Sequence, residues 1–166
     1  MLANPPLPRM RVLSGFLAIV FQASAAGLCA EPEMGRVTHV VDGDTVELLL
    51  NRQRIRIALA GIDAPEQAQA HGPRSRQSLL AICGGERAKV EIAGKDATGR
   101  TRAHVSCNGT DASAEQVRRG MAWVSPQEST RGSTIHALQE EAKATRRGLW
   151  ADLAPEPPWE WRRRNR

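Results

Sequence analysis

From Gly35 to Leu50 the apolar and polar positions fall as two strands with a turn between them. Val37, Val40 and Val41 lead into Asp42-Gly43-Asp44, and Thr45-Val-Glu-Leu-Leu-Leu50 follows. Strand side chains alternate between two faces, and Asp-Gly between β-prone runs is a strong turn signal. Asn51-Arg52-Gln53 predicts a second turn, and Arg54 to Gly61 a third strand in which two arginines alternate with isoleucines. A helix is predicted over 73–82, with Pro73 suited to its first turn and Gly84-Gly85 to stop it. Ala88 to Ile92 and Thr101 to Cys107 read as two further strands, joined by a turn over 94–99. Ser113-Ala-Glu-Gln116 has the form of a capping box that opens a second helix, closed by Gly120. Ile135, Leu138 and Ala142 keep helical spacing in a third, which stops at Gly148. Five strands interleaved with three helices predict an α+β, mainly β fold: a five-stranded barrel of the OB type with helices packed on it.

The two ends of the chain differ from this body. Residues 1–30 start basic, run apolar through Val12–Val20 and leave through small residues, the marks of a secretory signal. The apolar run is short for a membrane span. Cleavage after Ala25 or after Ala30 fits, so the expected location is periplasmic or secreted, with no stable membrane insertion afterwards. The expected domain is 31–152. Residues 153–166 are Pro-rich, then Arg-rich, and predict an extended tail.

Net charge changes little in this picture. The formal charge is +5, but two of the 23 basic residues (Arg9 and Arg11) lie in the signal and four (Arg162, Arg163, Arg164 and Arg166) at the far end. The remaining 17 face 18 acidic residues, so the body is near neutral and the charge is weak evidence for a polyanionic partner. Removal of Cys29 with the signal leaves Cys83 and Cys107, a candidate disulfide in an oxidising compartment.

Three carboxylates are candidates for chemistry. Asp44 opens one strand, and Asp63 and Glu66 sit in the turn after another. Hard cations such as calcium take oxygen ligands, and Asp44 and Asp63 on neighbouring strands could hold one with positions left to water. Glu66 would then act on such a water as general base. Arg100, entering a strand from a Gly turn, is suited to a phosphate, whose oxygens pair with guanidinium groups. The four histidines are scattered, with no zinc spacing. No serine has a nucleophile-elbow context, and no phosphate-cradling Gly loop is present.

VDGDTV (41–46), AGIDAPE (60–66), GRT (99–101), QVRRGMAWV (116–124) and EEAKATRRGLW (140–150), in that order and spacing, resemble the staphylococcal nuclease (thermonuclease) family. The likeness covers about Gly35 to Trp150. It implies a five-stranded OB-type barrel with three helices and a calcium-dependent phosphodiesterase acting on DNA and RNA, often exported. The expected partners are single-stranded or denatured DNA and RNA, and the expected state is a monomer. Position by position, it assigns Asp44, Asp63 and the Ala64 carbonyl to calcium, Glu66 to the base and Arg100 to phosphate.

One departure stands out. The family's other phosphate-binding arginine falls at Ala58, and the chain has no tyrosine, a residue the family uses beside the bound nucleotide. Arg56 shares the face of Ala58, roughly 6–7 Å along the strand, and is the candidate substitute. Loss of one preorganised donor costs on the order of 10²–10³ in rate, so the expectation is a slow nuclease. Two other readings stay open: a non-catalytic module of the same fold that binds nucleic acid or protein, and an accessory role at the cell envelope, for example in exopolysaccharide production.

Overall fold

A computed structural model describes residues 32–127 and 134–165. The expected signal segment and Cys29 lie outside the described residues. Strands β1 (Glu33–Val40), β2 (Thr45–Leu50) and β3 (Gln53–Leu59) form an antiparallel meander. Asn51 and Arg52 turn it tightly, both with positive φ (48° and 66°), the backbone that matches strand twist in a two-residue hairpin. A two-residue strand β4 (Ile62–Asp63) and helix α1 (Gly72–Cys83) follow, then β5 (Arg87–Lys95) and β6 (Thr101–Cys107).

β5 pairs with β1 and with β6, and β6 returns to lie parallel to β3, pairing Ile57 with Thr101, Ala58 with Arg102 and Leu59 with Ala103. That last pairing closes the predicted five-stranded barrel. Val37, Val46, Leu48, Ile57, Leu59, Val90 and Val105 fill it and are fully buried. Alternation therefore puts Arg54, Arg56, Ala58 and Arg102 on the outer face.

Short strand β7 (Thr110–Asp111) leads into α2 (Ala112–Arg118), and β8 (Trp123–Val124) pairs with β4. Helix α3 (Thr134–Ala144), a 3-10 turn (Gly148–Ala151) and α4 (Pro158–Arg164) complete the described residues. None of the described helices is long and apolar enough to cross a membrane. Cys83, at the end of α1, is disulfide-bonded to Cys107, at the end of β6, with Cα atoms 5.3 Å apart.

Two sequence expectations are corrected. The cap of α2 is Asp111, whose carboxylate accepts from the Ala114 N–H at 2.9 Å. Ser113 lies one residue inside the helix and donates instead to the Ala60 carbonyl, buried, at 2.8 Å. The C-terminal segment is not an extended tail throughout: Pro158–Arg164 forms a fourth helix, with Pro at its first turn, where a missing N–H costs nothing.

Candidate active site

A cavity of about 430 Å³ opens beside the outer face of β3 and β6, between the loop after β4 and the β5–β6 turn. The Asp42-Gly43-Asp44 turn reaches it because two helices hold it from behind. Gln116 of α2 is fully buried and donates to the carbonyls of Gly43 (2.6 Å) and Ser75 (3.1 Å). Ser75 of α1 donates to the Met121 carbonyl at 2.6 Å. The fit is close: a Cβ on Gly43 would fall 1.8 Å from the Ser75 hydroxyl oxygen and 2.8 Å from the Ala64 methyl. No other residue could let the turn approach α1 this far.

Asp44 faces the cavity with its own backbone tied down, its N–H to Asp42 and its carbonyl to Leu59. Its carboxylate accepts from the Thr45 hydroxyl (2.9 Å) and from the Ala64 N–H (2.7 Å). It has no ion pair among the described residues. Burial pushes the Asp44 carboxyl up to about 8, with Asp42 adding to the rise and the Ala64 N–H opposing it.

Asp63 leaves β4 toward the same cavity, followed by Ala64, Pro65 and Glu66. Glu66 is set by a compact loop in which its N–H donates to Gln69 Oε1 and its carbonyl accepts from the Gln69 N–H. The start of α1 presses on that loop, since a Cβ on Gly72 would fall 2.0 Å from the Glu66 carbonyl oxygen. Asp63 and Glu66 both accept from one guanidinium, that of Arg162 on α4. Its Nη2 lies 2.6 Å from Asp63 Oδ2, and its Nη1 lies 3.1 Å from Asp63 Oδ1 and 2.7 Å from Glu66 Oε1. Burial still holds the Asp63 carboxyl above its ordinary value, against the lowering by Arg162.

Arg100 stands at the start of β6. Asp96 caps the preceding turn through Thr98 and Arg100 N–H groups and holds the Arg100 Nε at 2.6 Å. The Thr98 hydroxyl bond, with these others, keeps the Asp96 carboxyl well below the usual range. Arg100 is thus steadied by Asp96 and lines the cavity.

Arg56 is not brought to the site. Its guanidinium pairs with Glu47 on β2 at 2.7 Å, is largely exposed, and does not line the cavity. The nearest cation to Ala58 in register is Arg102, its direct partner across the β3–β6 ladder. Partners in a ladder lie about 4.8 Å apart and point to the same face, so Arg102 reaches the outer surface above Ala58 from the next strand. Arg102 lines the cavity and has no ion pair among the described residues. Sequence reasoning missed it because the β3–β6 contact joins segments far apart in the chain. Arg162 was missed as a member of a basic tail, although Pro157-Pro158 ahead of it is a helix-start signal.

The donors fit a hard cation by type, since Asp44, Asp63 and Glu66 offer only oxygen and, among the described residues, no His or Cys lines the cavity. They are not a preformed cage. Among the described residues, no group of three or more acidic, His or Cys side chains is gathered as one.

Residues 56–152 match the family model described as Staphylococcal nuclease homologue. An uncharacterized endonuclease of Escherichia coli O157:H7 is 39% identical over 147 residues, 88% of this chain and 95% of its own. A micrococcal nuclease of Shigella flexneri is 36% identical over 143 residues, 78% of this chain and 80% of its own. An uncharacterized endonuclease of Haemophilus influenzae is 35% identical over 158 residues, covering 94% and 87%. A barrel closed by β3 and β6, with an acidic and arginine-lined cavity on its outer face, therefore sits in a chain that matches these proteins along most of its length, and the chain belongs to the staphylococcal nuclease family.

Proposed function

We propose that this protein is an exported, calcium-dependent phosphodiesterase that cleaves single-stranded or denatured DNA and RNA as a monomer. The observation that carries the reading is the meeting, on one cavity, of Asp44, Asp63 and Glu66 with Arg100 and Arg102. Acidic groups suit a cation and a proton acceptor, and guanidinium groups suit a phosphate. A nuclease needs both within one substrate's width.

Asp44 and Asp63 would hold the calcium ion, with the Ala64 carbonyl beside them. Bound there, the ion would polarise the phosphoryl oxygen and balance its developing charge. Glu66 accepts a proton from the attacking water, and its loop fixes the backbone from which the carboxylate projects. Arg100, steadied by Asp96, donates to the nonbridging phosphate oxygens. Arg102 donates from the neighbouring position on the same strand, in the space that Ala58 leaves open. Export is supported by the signal-like residues 1–30 and by the Cys83–Cys107 bridge, which an oxidising compartment maintains.

The test is cleavage of denatured DNA by Glu31–Arg166, with calcium or with a chelator, beside Glu66→Gln. The expected result is calcium-dependent cleavage that falls on the order of 10²-fold or more in Glu66→Gln. The non-catalytic module draws support from one observation, the closure of Arg162 on Asp63 and Glu66. That alternative predicts nucleic-acid binding with no cleavage at any calcium concentration.

A further inference from the structure

We infer that Arg162 is a latch: the C-terminal helix lays its guanidinium over Asp63 and Glu66, and a cation must displace it before the site can work. The inference rests on the metal reading above and adds to it a competition within the chain.

Three N–H groups of Arg162 are spent on two carboxylates, and both oxygens of Asp63 are engaged. A carboxylate with both oxygens donated to in this way offers a metal ion its poorest access. The Glu66 oxygen that accepts from Nη1 is occupied by that donor, so a water cannot hand its proton to it while the contact lasts. The same contact therefore opposes both roles assigned to these residues.

The arm is held by more than this ion pair. Trp159, one turn before Arg162 on α4, packs edge-on against the buried Trp123, ring centres 6.5 Å apart. Pro158 is buried. Gln69, from the loop that sets Glu66, donates to the Glu156 carbonyl at 2.5 Å, and Arg164 pairs with the Glu156 carboxylate at 2.9 Å. Arg162 can thus leave the carboxylates by turning its side chain while α4 stays docked. Its side chain is part-exposed, 42%, so water can receive it.

Calcium alone is the probe, with affinity read by calorimetry on Glu31–Arg166. Arg162→Gln is expected to bind calcium roughly tenfold tighter than the parent, and Arg162→Lys to fall between them, because lysine keeps the charge and loses the paired geometry. Arg163→Gln, which removes an equal charge from the partner of Glu160 one residue on, is expected to match the parent. The latch is overturned if Arg162→Gln binds calcium no tighter than the parent while both bind it, or if Arg163→Gln gains as much. Should neither parent nor Arg162→Gln bind calcium, the metal reading itself fails and the latch falls with it.

Discussion

Ala58 and Arg102 face each other across two strands, and that pairing decides what the missing side chain at position 58 means. A guanidinium rooted on β6 rather than β3 reaches the same outer face from about 4.8 Å to one side. Arg102→Ala is expected to lower kcat/KM on denatured DNA on the order of 10²-fold, the range for loss of one aligned donor. Ala58→Arg in an Arg102→Ala chain should recover much of that loss, since it returns the charge to the neighbouring root. Arg56→Ala should leave kcat/KM unchanged, because its guanidinium is spent on Glu47 at the surface and does not line the cavity. Steady-state kinetics on the three variants checks all of this, and an Arg56→Ala chain that slows as Arg102→Ala does would refute it.

Helix α2 links the barrel to the site, and its sequence carries two layers of meaning. Asp111 caps it, while Ser113 and Gln116 spend their polar groups inward, on Ala60 and on the Gly43 turn. The motif Ser-Ala-Glu-Gln looks like a capping box because serine and glutamine suit both tasks. A buried amide needs partners, and an interior position in the helix supplies them only from other elements. Asp111→Ala is expected to cost about 1 kcal/mol in urea denaturation, the usual loss for an N-cap, while Ser113→Ala acts through the Ala60 contact instead. The prediction that the helix begins near 113 is close. Its cap lies two residues earlier because β7 delivers Asp111 directly into the first turn.

Viewed whole, the molecule neutralises much of the charge that its composition advertises. Arg162 answers Asp63 and Glu66, Arg163 answers Glu160, and Arg164 answers Glu156. The basic end is thus not a free arm for phosphates among the described residues. The Cys83–Cys107 bridge works at the same level, tying α1 to the far end of β6 across 24 residues of sequence. In the chain-entropy view, closing a loop of that length stabilises the fold by about 3 kcal/mol. A Cys83→Ala/Cys107→Ala chain should lose about that much, measured by urea unfolding against the oxidised parent. A loss of zero would mean that the packing of α1 alone sets the loop.

The barrel strands, helices α1 and α3, and the placing of Asp44, Asp63, Glu66 and Arg100 at strand ends and turns were legible along the chain, because period-two and helical spacing and turn residues are local signals. The shape of the site was not. Arg102 beside Ala58 follows from a parallel contact between β3 and β6, Arg162 on Asp63 from a helix 99 residues away, and Gln116 behind Gly43 from a contact across 73 residues. Local periodicity says which face a side chain takes. Which distant side chain shares that face depends on how the barrel closes and where α4 docks, and these are set by packing of the assembled core.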